Sequence, residues 1–256
     1  MLRIMWNGAS GMAAEQNELD AISNNLANMT TTGYKSETVG FSDLLYETLN
    51  RAGEPVTNNN NNRYVGAGVK SDNWIRDNQQ GDLIASDLKT NFAIDGSGYF
   101  RVTRADGSKA YERAGDFVVN ANGKLVDPNG NLLDIDYSVD PNTVKFTKDN
   151  ISLSENGTLS VKTNNGDEQV GKINIYDAIG NDSMASAGDN LFVPRPGVQI
   201  FQRTDSKLEQ GYLENSNVDV ATEMTNMIIT QRAYQLNSKS VQTGDSMWSL
   251  VNNMRK

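Results

Sequence analysis

VDVATEMTNMIITQRAYQLNSKSVQTGDSMWSLVNNM, from Val218 to Met254, is the stretch from which the rest of the chain is read. It holds no proline, so nothing in it forces a helix to stop. As a single helix it is roughly 55 Å long. Steps of four and three from Val220 meet Met224, Met227, Gln231, Tyr234, Ser238, Val241, Asp245 and Trp248. The same steps from Ile229 meet Ala233, Leu236, Ser240, Thr243, Met247, Leu250 and Met254. Both series follow the period of about 3.5 residues that marks coiled coils. They lie on nearly opposite sides of the helix, because Met227 and Ile229 are two positions apart. A helix with one apolar stripe packs against one partner; a helix with two packs between partners. Polar members interrupt both stripes, so neither seam is dry, and the helix is expected to be poorly stable alone.

The start of the chain offers a partner. From Leu2 the same steps meet Met5, Ala9, Met12, Gln16, Leu19, Ser23 and Leu26. A first helix is expected from residue 3 to about 28, with Gly8 and Gly11 each weakening it by about 1 kcal/mol relative to alanine. Thr30-Thr31-Thr32-Gly33 ends it, three β-branched residues before one free to take positive φ. Phe41 to Leu49 reads as a second amphipathic helix or as an apolar-anchored loop. Gly53 to Arg63, with the run Asn58 to Asn62, reads as a linker.

From Asn91 to about residue 205 short β-type runs alternate with turn dipeptides such as Asp106-Gly107, Asn122-Gly123, Asn129-Gly130 and Asn156-Gly157. Asn217 or Asp219 is the expected N-cap of the last helix. The expected fold is therefore α+β: a discontinuous helical domain from N- and C-terminal coiled-coil helices, with an inserted all-β domain. The expected boundaries are 1–50 for the first helix and connector, 51–90 for extended linker and strands, 91–211 for the β domain and 212–256 for the last helix.

Composition narrows the chemistry. The chain has 256 residues and a net charge of −9, which argues against nucleic acid and anionic membrane surfaces as partners. It holds no cysteine and no histidine. Disulfides, thiolate chemistry, the Ser-His-Asp triad and the commonest zinc ligand are thereby excluded. No apolar run approaches the roughly 18 residues of a membrane span, and Leu2 to Trp6 is too short for a secretory leader. Asp127-Pro128-Asn129-Gly130-Asn131 lacks calcium-loop spacing and reads as a hairpin turn. Gly96-Ser97-Gly98 lacks the third glycine of a dinucleotide fingerprint. No catalytic, cofactor-binding or metal-binding residue is nominated, and no cofactor is expected.

Three stretches carry a resemblance. Asn24-Asn25-Leu26-Ala27-Asn28-Met29-Thr30-Thr31-Thr32-Gly33-Tyr34-Lys35 resembles the N-terminal signature of bacterial flagellar rod and hook proteins. Gly211-Tyr212-Leu213-Glu214-Asn215-Ser216-Asn217-Val218, continuing through Gln231-Arg232-Ala233-Tyr234, is similar to their C-terminal region. Phe92-Ala93-Ile94-Asp95-Gly96-Ser97-Gly98-Tyr99-Phe100, followed by Tyr111, Arg113 and Gly115 to Phe117, looks like their middle motif. Within the family the likeness is greatest to the distal rod type, with proximal rod and hook-type subunits as alternatives. The Asn-rich linker, Ile175-Tyr176-Asp177-Ala178 and Gly244 depart from the family pattern.

The resemblance implies a non-catalytic subunit of the basal-body rod. Its terminal helices would form the inner coiled-coil tube of a torque-transmitting axle with a central export channel. Implied partners are further copies of itself, other rod and hook proteins, bushing rings and the type III export apparatus, with no nucleic acid and no membrane insertion. The implied place is the basal body, in the periplasm or across the cell wall, reached without a cleaved signal peptide. Candidate assembly residues are Leu2, Met5, Met12, Leu19, Leu26, Asn28, Thr31, Gly33 and Tyr34, with Met224, Met227, Ile228, Gln231, Tyr234, Leu236, Val241, Met247, Trp248 and Leu250. Two readings from other classes are a secreted β-rich carbohydrase using two of the many carboxylates, and an adhesin or fibre.

One expectation follows from the polar-layered stripes. Hydrogen exchange on the dilute subunit should find amides 220–250 weakly protected, and strong protection there would contradict it.

Overall fold

The computed structural model describes residues 2–44, 47–48, 64–141, 143–163, 166–180 and 183–254. The Asn58 to Asn62 run lies outside them. Helix α1 spans Leu2–Ala27 and helix α2 spans Val220–Asn253. Asp219 is the N-cap of α2: its side chain accepts from Ala221 N at 3.0 Å and from Thr222 Oγ1 at 2.7 Å, which satisfies a donor the first turn leaves open. Gly244 does not interrupt α2, which runs through it. No helix among the described residues is long and apolar enough to cross a membrane.

The chain divides into two units. The first holds residues 1–26, 37–75 and 219–256; the second holds 27–36 and 76–218. In the first unit a two-stranded ribbon pairs Glu37–Asp43 with Val69–Arg76. The start of the expected second helix, Phe41 to Asp43, is therefore strand. Phe41 is exposed, and half-buried and exposed positions alternate along Glu37–Asp43 except at Val39 and Gly40, which are both half-buried. Asn17 Nδ2 of α1 donates to Ser71 Oγ of the ribbon at 2.6 Å.

The second unit is β throughout its described strands. Tyr99–Thr103 is the centre of a nine-stranded antiparallel sheet. Along one edge it pairs with Lys109–Glu112, in register Phe100 with Glu112 and Val102 with Ala110. Along the other it pairs with Ile175–Ala178 near its start and Leu132–Leu133 near its end. A four-stranded sheet runs in the order 135–137, 166–173, 158–163, 151–153. Phe92, Phe100, Phe117, Leu125, Leu159 and Ile173 are fully buried between these elements. Phe100 and Phe117 meet edge-on with centroids 5.4 Å apart, a geometry aromatic quadrupoles favour. The turns fall where Asn-Gly and Asp-Gly pairs place them: Gly107, Gly123, Gly130 and Gly157 all have positive φ. At Asp127 the carboxylate accepts from Asn131 N and Nδ2, both at 2.7 Å, and closes its own hairpin.

Among the buried residues of charged type, Glu112 stands out. Glu112 is 3% exposed, and its Oε1 has no hydrogen-bond partner among the described residues. Burial first, then Asp127 and Asp116, pushes its carboxyl up to about 9. The folded chain therefore keeps this proton through a pH range where an unfolded glutamate has lost it. Stability falls as pH rises from the ordinary carboxylate range through about 9. Glu112→Gln should remove that slope: in urea titrations its advantage over the parent should widen from pH 5 to pH 9.

Candidate functional site

The helical unit has an inner seam and an outer face. On α2 the inner seam runs Val220, Glu223, Met227, Thr230, Tyr234, Asn237, Val241 and Gly244, all buried or half-buried. Four of these, Val220, Met227, Tyr234 and Val241, are where the heptad reading puts them. Between them Glu223, Thr230 and Gly244 are buried, each one residue before Met224, Gln231 and Asp245, and Asn237 is half-buried like Ser238 beside it. Met224 and Trp248 remain 54% and 52% exposed. On α1 the buried positions are Gly8, Gly11, Ala14, Ala21, Ile22 and Asn25, while Met5, Met12, Leu19 and Leu26 are half-buried. Nothing is described of the Leu2 side chain.

Small residues decide this register. A Cβ at Gly8 would stand 2.8 Å from Val241 Cγ2, and one at Gly244 would stand 3.0 Å from Met5 Cγ. The helices meet where they can approach closely, and larger apolar side chains are left outside the seam. The glycines that weaken α1 as a helix are thus the residues that let it pack. The seam's polar layer is satisfied by Asn25, which is 1% exposed. Its Nδ2 donates to Glu223 Oε1 at 2.8 Å and to Glu37 O at 2.9 Å, and its Oδ1 accepts from Glu37 N at 2.9 Å. Burial pushes the Glu223 carboxyl up, against the Asn25 hydrogen bond.

The outer face of α2 is apolar and bare. Ile228, Ile229, Leu236, Met247 and Leu250 are 61%, 61%, 69%, 49% and 64% exposed. Gln231 is exposed as well. Such a row far exceeds the scattered apolar residues of an ordinary surface, and contiguous apolar patches mark interaction sites.

The turn residues nominated from sequence fold into the β unit. Asn28 and Thr31 form a local turn, with Thr31 N donating to Asn28 O at 3.0 Å and Tyr34 N to Thr31 O at 3.3 Å. Gly33 has φ +67, and a Cβ there would lie 2.5 Å from Ala114 N; both the left-handed backbone and the close approach require glycine. Its N–H donates to Glu214 O at 2.8 Å. Beneath this turn lies an ionic hub that sequence reasoning missed. Glu214, 1% exposed, accepts from Lys35 Nζ at 2.6 Å and Gly81 N at 3.0 Å on Oε1, and from Arg113 Nε at 2.5 Å on Oε2. Lys35 also donates to Gln79 O at 2.5 Å. Arg113 donates to the carbonyls of Gly98, Ile94 and Gly96. Nearby, Asn217 accepts from Ser36 N at 2.7 Å and donates to Asp77 O at 3.1 Å. Asn217, weighed as an N-cap, instead ties the turn to the end of the sheet.

Each hub residue stands in one of the stretches quoted above, but 179 residues separate Lys35 from Glu214 and 101 separate Arg113 from it. The available signal was a glutamate beside Leu213 and Tyr212 in a strand pattern, where a charge must be paired if buried.

Comparison with known proteins covers the same parts. Family models match at residues 5–35 (flagella basal body rod protein), 93–187 (flagellar hook protein FlgE/F/G D1 domain) and 209–254 (flagellar basal body rod FlgEFG protein C-terminal). The flagellar basal-body rod protein FlgG of Borreliella burgdorferi is 38% identical over the whole of both chains. Its namesake in Agrobacterium fabrum is 36% identical over 98% of each, and that of Bacillus subtilis 31% over the whole of both.

The hub makes a sharp energetic statement. Glu214→Ala leaves two buried cations without their anion, and breaking a buried pair in this way costs about 3–5 kcal/mol. Urea denaturation followed by far-ultraviolet circular dichroism should show the loss.

Proposed function

This chain belongs to the flagellar basal-body rod protein family, and from that membership we propose that α1 and α2 are its assembly elements. It is a structural subunit of the basal-body rod, of the distal rod type, and not an enzyme. The observation that carries the mechanism is the bare apolar face of α2, from Ile228 to Leu250, opposite a seam already occupied by α1.

Copies docking on that face would gain about 25 cal/mol for each Å2 of apolar surface removed from water. The contact is head-to-tail rather than self-complementary, so it propagates into a helical filament instead of closing a dimer. The helices then form a coiled-coil tube around a central channel. The polar inner seam keeps the solitary subunit weakly ordered at its ends, and assembly supplies the missing neighbours. Torque passes through the packed helices. Other rod and hook proteins cap the ends, bushing rings surround the outside where present, and the type III apparatus delivers the unfolded chain to the periplasm or cell wall.

Replacing Ile229 and Leu236 with aspartate tests this. Both are exposed, so the β unit should keep its thermal transition while sedimentation of concentrated protein no longer detects filaments. Filaments of unchanged amount would reject the outer face as the contact.

A further inference from the structure

The hub carries more positive than negative charge. Lys35 and Arg113, each with a side chain 3% exposed, share the single carboxylate of Glu214. Their other acceptors are neutral backbone carbonyls. Burial, first among the influences, pulls the Lys35 ammonium below its usual range, and Arg113 pushes the same way, against Glu214 and, more weakly, Asp77. A buried surplus charge of this kind is costly unless an anion answers it.

Beside the hub lies a cavity of about 160 Å3, lined by Lys35 and Arg113 together with Asn78, Ser97, Tyr99 and Asp177. That is roughly five times the ~30 Å3 a water occupies in the liquid, room for a carboxylate and the methylenes that bear it. Asp177 does not cancel the cations, because Arg203 Nη1 and Ala178 N already engage its carboxylate. Lys35 uses two of its three N–H donors in these bonds and Arg113 four of its five. Each keeps one for a ligand.

We propose that this cavity is a receptor for a carboxylate presented by a neighbouring polypeptide. The chain has 32 acidic against 23 basic residues, so copies repel one another at long range. A recessed cationic site gives an approaching acidic side chain a defined seat and fixes the register of the contact. The source of the carboxylate rests on the assembly reading; the site itself does not.

The experiment uses the full chain. Sodium acetate replaces sodium chloride at constant ionic strength, and the melting of the β unit is followed. A saturable rise in melting temperature with a millimolar midpoint is expected. Asp177→Asn, which removes the one lining carboxylate among the described residues, should lower that midpoint several-fold. Ala178 also lines the cavity, and Ala178→Leu, which adds bulk there, should retain the transition and lose the acetate response. A blocked Gly-Glu-Gly peptide should act as acetate does, and its glutamine counterpart should not. No saturable response in the parent, or an undiminished one in Ala178→Leu, overturns the site. A response to acetate with none to the glutamate peptide overturns the polypeptide as its source. Failure of the rod reading would register separately, as parent protein that forms no filaments at any concentration.

Discussion

A single buried carboxylate holds the β unit to both segments through which the chain leaves it. Glu214 is the last residue of a short strand, and it accepts from Lys35, Arg113 and Gly81 at once. Lys35 closes the turn that follows α1, Arg113 stands in the middle of the chain, and Glu214 is five residues before the N-cap of α2. Removing any one partner leaves a charge in low dielectric, which is why the arrangement is all-or-nothing. The signature turn is therefore part of the β unit's own framework. Its glycine is dictated by a backbone that passes within 2.5 Å of where a Cβ would sit.

The helical unit follows the opposite logic. Its seam is polar and tightly approached, with Asn25 and Glu223 hydrogen-bonded inside it and glycines at the closest points. Ile228, Ile229, Leu236, Met247 and Leu250 of α2 face outward. A monomer built to be stable by itself would reverse this, burying leucine and isoleucine between the helices and leaving glycine and asparagine to water. A subunit of a rod gains by the inversion: the inner seam sets register, while the outer face reserves its apolar area for neighbours.

Where sequence reading and structure part, the cause is specific. Heptad counting from Val220 finds the right period and half of the inner seam. It then prefers Met224 to Glu223 and Asp245 to Gly244, because a hydrophobic count has no term for how near another backbone comes. The turn dipeptides were legible because positive φ is a local demand that glycine meets locally. The segment from Phe41 was not, since its apolar spacing suits a helix or a loop and only its pairing with Val69–Arg76 makes it a strand.

The sequence by itself determined the two terminal helices, the β-rich insert with its turns, the absence of histidine and cysteine chemistry, and the family. All of these rest on local periodicity, composition or short motifs. Only the tertiary structure decided which face of each helix is spent inside the chain, and that Lys35, Arg113 and Glu214 meet. Those outcomes depend on contacts between residues far apart in the chain, such as Asn25 and Glu223 at 198 positions, and no spacing within a single segment encodes them.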